Sequence, residues 1–179
     1  MGPLDLVQLT TLMDRTSGRA EVSVGLIDGP VLLTHPELAS EHIREVPGKL
    51  RGFCARSDSF ACVHGTFVAG ILSARRDSTA PAICPLCSFL LRPIFSEAAG
   101  LDNVVPSASP QDLAEAMIDI VDAGARVINL SSAIAQPSPK GENKLEEALN
   151  YAAHHGAIIV AAQATRGRWE VPLSPAILG

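Results

Sequence analysis

Four short apolar runs constrain the fold of this chain more than any other feature of its sequence. Residues 22–27, 88–95, 126–132 and 157–162 are each mainly apolar, and turn residues or helical patterns separate them. Runs of this length and composition predict buried strands. Because the last two follow amphipathic helical patterns, the sequence predicts an α/β fold: a parallel sheet with helices on both faces, joined by right-handed crossovers.

Capping signals locate two of the helices. Ser109 precedes Pro110, and Asp112 follows three residues after the serine, which is the pattern of a capping box with proline at the first helical position. Leu113, Met117, Ile120 and Val121 then keep helical spacing until Gly124. A second helix is expected to begin at Asn143 and to end at Gly156. Its predicted buried residues are Leu145, Ala148, Leu149 and Ala152.

Residues 39–61 and 96–108 are predicted to be loops. They are polar or interrupted by glycine and proline, and their apolar residues show neither helical nor strand periodicity. The chain has 179 residues, of which 47% are hydrophobic. This is the size of one domain with a substantial core, so we expect residues 1–179 to form a single domain. The last residues, 171–179, carry neither a helix cap nor a polar tail, and we expect the chain to be cut there.

Charge and composition exclude two classes of partner. The formal net charge is -5, and the sequence contains no dense run of lysine or arginine. Neither nucleic acid nor an anionic membrane is therefore an expected partner. The N-terminus lacks a basic leader followed by an apolar segment, and no stretch approaches the roughly 18 apolar residues of a membrane span. We expect a cytoplasmic protein. The sequence does not determine its oligomeric state.

A carboxylate and an imidazole are the side chains that point to chemistry. Asp28 ends the first apolar run and is followed by Gly29-Pro30, so it should lie at the C-terminal end of a strand, where open α/β sheets bind ligands. His64 precedes two small residues and is expected to open a helix, in which Phe67, Val68, Ile71 and Leu72 are spaced to hold it against the sheet. A buried carboxylate bonded to one imidazole nitrogen would orient the ring as a general base.

Taken alone, each of these residues has a simpler interpretation. An Asp-Gly pair after a strand is usually a turn, and a histidine near a helix start is usually a satisfied polar group. From composition and periodicity alone, a paired Asp28 and His64 site is therefore one interpretation, beside a simple turn at Asp28 and a satisfied polar group at His64.

The sequences of three segments resemble the motifs of the subtilisin-like serine peptidases. Residues 24–38, VGLIDGPVLLTHPEL, resemble the aspartate motif of that family, and residues 64–72, HGTFVAGIL, resemble its histidine motif. Residues 127–133, VINLSSA, are similar to its substrate-binding strand. The resemblance implies a catalytic Asp28 and His64, and a backbone at Ser131, Ser132 and Ala133 that pairs with an extended peptide. We therefore expect the strand that contains Ser131 to have an open edge. The resemblance covers residues 20–179.

Within that family, one subgroup is the better match. Asp28-Gly29-Pro30, the segment at 83–95 and the ending at 171–179 resemble the intracellular subtilases that mature ribosomally made peptides of the cyanobactin type. This resemblance implies a peptide or protein substrate and acyl transfer to water or to an amine.

Two departures from the family pattern bear on activity. The family's nucleophilic serine lies in a Gly-Thr-Ser-x-Ala-x-Pro segment well after the histidine, and these residues contain no such segment. We expect the serine to lie outside this chain and the 179 residues alone to be inactive. In the oxyanion region, Gln163 stands where the family carries Gly-Asn. Loss of one such donor costs about 3–4 kcal/mol of transition-state stabilisation.

The sequence therefore supports two functions. The first is a subtilisin-type serine endopeptidase that cleaves or transpeptidates a precursor peptide. The second is a catalytically incomplete subtilase-like module that binds peptides or assembles complexes through the Ser131 strand. Sequence beyond residue 179 would discriminate between them.

The chain contains four cysteines, Cys54, Cys62, Cys84 and Cys87, and three interpretations of them are open. Free thiols are expected, since four cysteines are too few for a disulfide scaffold in a chain of this length, whereas a four-cysteine zinc site and local disulfides are the alternatives. No feature requires calcium, and we expect no cofactor. His154 and His155 close the last helix, where a cation favours the helix dipole.

Overall fold

The computed structural model describes residues 3–6, 8–100, 106–131 and 139–161. The predicted parallel α/β sheet is confirmed. The five strands are all parallel and lie in the order β2-β3-β1-β4-β5. They are β1 (Ser23–Ile27), β2 (Ile43–Glu45), β3 (Ser88–Leu91), β4 (Val127–Leu130) and β5 (Ile158–Ala161).

Five helices accompany the strands of the sheet in the described part of the chain. They are α1 (Pro3–Leu6), α2 (Leu9–Arg15), α3 (Phe60–Ser73), α4 (Pro110–Asp122) and α5 (Pro139–His154). Two short 3-10 helices lie in connections, at Ser40–His42 and Glu97–Gly100. No helix in the described ranges is long and apolar enough to span a membrane.

Each face of the sheet packs against its own set of helices, which places the core in two layers. On one side α3 contributes Val68 and Ala69 to a cluster with strand residues Val24, Leu26, Phe89 and Leu91. On the other side α4 and α5 pack on the remaining strand residues, Ile27, Leu90, Ile128 and Leu130. The strands alternate between these two clusters because successive side chains point to opposite faces.

The capping box predicted for α4 is confirmed. The Asp112 N–H donates to Ser109 Oγ (3.1 Å), the Ser109 N–H donates to the Asp112 carboxylate (3.3 Å), and Pro110 is the first helical residue. The four predicted core residues of this helix, Leu113, Met117, Ile120 and Val121, are all buried.

The structure corrects three expectations: a segment predicted to be a loop, the start of a helix, and the burial of one residue. The predicted loop 39–61 contains β2, whose single buried side chain, Ile43, is too little to produce a visible alternation of polar and apolar residues. The last helix begins at Pro139 instead of Asn143, because proline is well tolerated in a first helical turn. Leu149 is 40% exposed, since the buried stripe of α5 is formed by Leu145, Ala148 and Ala152, and Leu149 lies beside it.

The first half of α3 lies against the turn after β1 at backbone contact, and two glycines make this possible. A Cβ atom on Gly29 would clash with the carbonyl oxygen of Ala61 in α3. One on Gly65 would stand 2.5 Å from the carbonyl oxygen of Pro30. Backbone atoms on both sides cannot move aside as a flexible side chain can, so these positions require glycine.

Gly65→Ala should therefore destabilise the protein by at least about 2 kcal/mol, because the added methyl group forces α3 away from the β1 turn. The matched control is Gly70→Ala in the same helix, where an added Cβ would have no atom within 4 Å. That change should be neutral or stabilise by up to about 1 kcal/mol, through helix propensity. Urea unfolding of both variants measures the difference; equal losses would contradict the packing argument.

Candidate active site

Asp28 directly follows β1, at the C-terminal edge of the sheet, and is 2% exposed. The chain after β3 fixes its backbone: the N–H of Ile94 donates to the Asp28 carbonyl (2.9 Å), and the N–H of Phe95 donates to the same oxygen (3.4 Å). Its side chain accepts from the N–H of Gly29 at Oδ1 (2.7 Å). Both the backbone and the carboxylate of this residue are therefore held in place.

His64 lies in the second turn of α3. The helix begins earlier than the sequence indicated, at Phe60, and Ser59 is its N-cap, with Ser59 Oγ accepting from the Cys62 N–H (3.2 Å). The ring of Phe60, one turn before the histidine, stacks on the imidazole with ring centroids 6.3 Å apart. The start of α3 therefore determines where the imidazole stands.

Asp28 and His64 meet in a hydrogen bond. His64 Nδ1 lies 2.7 Å from Asp28 Oδ1, and the Asp28 carboxylate is buried while the His64 side chain is 37% exposed. The hydrogen bond to Asp28 raises the pKa of His64, and partial burial of the imidazole opposes this effect. No described residue bonds to the other ring nitrogen, Nε2, so that nitrogen remains able to take a proton.

The other carboxylate oxygen of Asp28 is without a partner among the described residues. Asp28 Oδ2 is buried and makes no hydrogen bond with the described residues. The two residues that follow Asp28 explain this in part: Gly29 carries no side chain, and Pro30 has no N–H to donate. Hydrogen bonding to this carboxylate is therefore concentrated on Oδ1, which accepts from both Gly29 and His64.

The expectation that four apolar side chains hold α3 against the sheet is wrong in part. Val68 is buried and Leu72 is half-buried, whereas Phe67 is 62% exposed and Ile71 is 45% exposed. The buried side of α3 is formed mainly by small residues, Ala61, Cys62, Gly65 and Ala69. Small residues let the helix approach the sheet closely, and the large apolar residues are left on its outer side.

The strand that leads to Ser131 has no free edge along its length. β4 pairs with β1 on one side and β5 on the other, through all four residues Val127–Leu130. The prediction of an open edge is therefore wrong for these residues. Ser131 follows the last pair, and its Oγ accepts from the Asn129 side-chain amide (2.8 Å). Ser132, Ala133 and Gln163 lie outside the described residues.

The expectation of free thiols is wrong for two of the four cysteines. Cys54 and Cys62 form a disulfide, which joins the loop before α3 to its first turn. Spacing alone could not indicate this bond, because the loop folds back on the helix only in the tertiary structure. Disulfides are typical of oxidising compartments, which runs against the expected cytoplasmic location.

Cys84 and Cys87 are free, as the sequence indicated. Burial, and after it the neighbouring Cys87, raise the pKa of Cys84 to about 12. A thiol with so high a pKa is almost entirely protonated at neutral pH and is therefore a poor nucleophile, because nucleophilic attack needs the thiolate. One group in the described residues, Cys54, Cys62 and Glu97, has atoms close enough to share an ion, but both of its sulfurs are in the disulfide.

Glu97 is a residue of this region that sequence reasoning missed. It lies in a segment predicted to be a loop, and it begins the 3-10 helix Glu97–Gly100. Its carboxylate accepts hydrogen bonds from the N–H groups of Ala55 (2.9 Å) and Arg56 (2.8 Å), and from Ser59 Oγ (3.2 Å). The separation of about 40 residues hides these contacts from any local pattern.

Asp28→Asn should bring the pKa of His64 down toward its ordinary value of 6.5, because the amide removes the charge that stabilises the imidazolium. NMR titration of the imidazole protons measures this, with the His154 resonances as internal reference. Since the folded-state pKa is raised, the pair stabilises the fold fully below pH 6.5 and this contribution is lost as the pH rises through the raised pKa. An unchanged His64 titration in the variant would contradict the pairing.

Comparison with known proteins agrees with this geometry. The family model of the subtilases matches residues 19–168. The chain is 29% identical over 161 residues to a thermophilic serine proteinase of Bacillus sp. (strain AK1), covering 86% of this chain and 35% of that protein.

Among solved structures, the protease domain of PatA, determined as a serine-to-alanine mutant, matches with a TM-score of 0.72 and 30% identity, over 87% of this chain and 54% of that one. The prenylagaramide maturation protease PagA matches with a TM-score of 0.68 and 26% identity, over 86% and 49% of the two chains. The chain thus spans about half the length of these solved relatives and about a third of the proteinase. Its sheet, its two motifs and the extent of the family match show that the chain belongs to the subtilase family.

Proposed function

We propose that Asp28 and His64 are the aspartate and histidine of a subtilisin-type serine peptidase. The observation that carries the proposal is the 2.7 Å bond between Asp28 Oδ1 and His64 Nδ1, at the C-terminal edge of a parallel sheet. The bond fixes which imidazole nitrogen carries the proton, and the exposed side of the ring can then accept one from a nucleophile.

The chemistry of the proposal is acyl transfer. A serine hydroxyl attacks the carbonyl carbon of a peptide while His64 Nε2 accepts its proton, and Asp28 stabilises the resulting imidazolium. The tetrahedral intermediate collapses, His64 gives the proton to the departing amine, and an acyl-enzyme remains. Water or an incoming amine then attacks the acyl-enzyme and releases the product. In this proposal the serine comes from sequence outside these 179 residues.

The proposal extends to a class of substrate. PatA and PagA are described as proteases that mature patellamide and prenylagaramide, and both resemble this chain over more than four fifths of its length. We infer that a precursor peptide is the substrate. Backbone pairing at Ser131, Ser132 and Ala133 is the proposed mode of binding, and the Gln163 side-chain amide is the proposed oxyanion donor.

A fluorophosphonate probe tests this proposal. Such probes label an activated serine, so the 179-residue chain alone should remain unlabelled, because the pair has no hydroxyl to activate. A longer form that contains a Gly-Thr-Ser-x-Ala-x-Pro segment should be labelled at that serine. His64→Ala in the longer form should abolish labelling and lower kcat on a peptide substrate by roughly 10⁴-fold or more.

His154→Ala is the matched control, since His154 lies at the exposed end of α5 and its Nδ1 interacts only with the local carbonyl of Asn150. It should leave labelling unchanged. Labelling of the short chain would show that the nucleophile has been misplaced. A longer form that folds, contains the serine segment and stays unlabelled would favour the peptide-binding module instead.

A further inference from the structure

We propose that Glu97 is a positioning residue for the Asp28 and His64 pair, acting through Ser59 and the first turn of α3. A role of Glu97 in catalysis rests on the proposed peptidase function. The positioning itself is a property of the described structure, and it can be measured without any turnover.

The first step is the hydrogen bonding of the Glu97 carboxylate. Oε1 accepts from the Arg56 N–H (2.8 Å) and from Ser59 Oγ (3.2 Å), and Oε2 accepts from the Ala55 N–H (2.9 Å). Hydrogen bonds to an ionised acceptor are about twice as strong as neutral ones. One carboxylate therefore holds the backbone at Ala55 and Arg56 and the side chain of Ser59, in the segment that leads into α3.

The second step runs from Ser59 to the helix. Ser59 is 4% exposed, and its hydroxyl has one proton, which it donates to Glu97. The hydroxyl oxygen is then turned to accept from the Cys62 N–H (3.2 Å), as the N-cap of α3. With Glu97 as acceptor the cap has one orientation; without it the hydroxyl can rotate and the first helical turn loses a fixed partner.

The third step links the first turn of α3 to the imidazole and to the aspartate. Phe60, the first residue of α3, stacks on the His64 ring, and the Ala61 carbonyl lies against Gly29, the residue after Asp28. A displacement of the first turn therefore changes both the support of the ring and its distance to the carboxylate. The outer face of α3 does little to hold the helix in place, since Phe67 and Ile71 are exposed.

The same segment also holds the aspartate. Ile94 and Phe95 donate to the Asp28 carbonyl, and Glu97 follows two residues later. Residues 94–97 thus contact the backbone of Asp28 at one end and the cap of the His64 helix at the other. This arrangement makes the segment a bridge that sets the two members of the pair relative to each other.

The test is the titration of His64 by NMR in Glu97→Gln, using the 179-residue chain. The carboxamide cannot accept at its nitrogen, so it cannot hold both backbone N–H groups and the serine. We expect the pKa of His64 to fall toward its ordinary value, and the low-field resonance of the imidazole N–H bonded to Asp28 to weaken or shift upfield. A residue that only stabilised the fold would lower the melting temperature and leave both signals of the folded protein unchanged.

Two further variants separate positioning from charge. Ser59→Ala removes the link between Glu97 and the helix without changing any charge, and it should shift His64 in the same direction. Glu37→Gln is the matched control: Glu37 accepts hydrogen bonds from the N–H and the hydroxyl of Thr79, in the loop after α3, and its replacement should leave His64 unchanged. A thiol assay should still find two free thiols in each variant, which shows that the Cys54–Cys62 disulfide is intact.

The outcomes are distinct. A shift in Glu97→Gln and Ser59→Ala, with none in Glu37→Gln, supports the proposal. An unchanged His64 titration in folded Glu97→Gln overturns it, and so does a shift in Glu97→Gln that Ser59→Ala fails to reproduce, since this would be the effect of charge alone. Because titration follows the folded molecules, a loss of stability does not obscure the result. Failure of the fluorophosphonate test would refute the peptidase function and leave this result standing.

Discussion

The candidate site depends on a backbone contact between the turn after β1 and the first half of α3. Gly29 and Gly65 lie at this contact, and a side chain at either would meet a carbonyl oxygen of the opposite segment. The approach brings an imidazole on a helix within 2.7 Å of a carboxylate on a strand. A side chain at either glycine would push helix and sheet apart and lengthen this bond beyond the roughly 2.7–3.2 Å over which such hydrogen bonds form.

The sheet supplies the rigid half of this arrangement. β1 is a central strand with β3 and β4 as neighbours, so Asp28 extends from the most constrained part of the fold. α3 is less constrained, because its large apolar side chains are largely exposed and its sheet-facing side consists mainly of small residues. The position of this helix therefore relies on contacts at its N-terminal end. Three such contacts are present: the Ser59 cap, the Glu97 carboxylate and the Cys54–Cys62 disulfide.

Electrostatics at the site follow from this packing. Asp28 is buried beside a half-exposed imidazole, and the hydrogen bond between them raises the pKa of His64 against the opposing effect of partial burial. A histidine with a raised pKa is a better proton acceptor, which suits the general base of an acyl-transfer reaction. Within the described part of the chain, Oδ1 of Asp28 accepts the hydrogen bonds from Gly29 and His64, whereas the buried Oδ2 accepts none.

The sequence by itself predicted four of the five strands, the α4 cap and the candidate residues Asp28 and His64, because these depend on local signals: apolar runs, capping patterns and the motifs around the two residues. It could not determine β2, the exposed side of α3, the disulfide or Glu97. β2 has one buried side chain, and the others arise where segments distant along the chain meet, as Glu97 meets Ala55 and Arg56 across some 40 residues. Hydrogen bonds and packing of this kind leave no periodic trace in a sequence, so only the tertiary structure decided them.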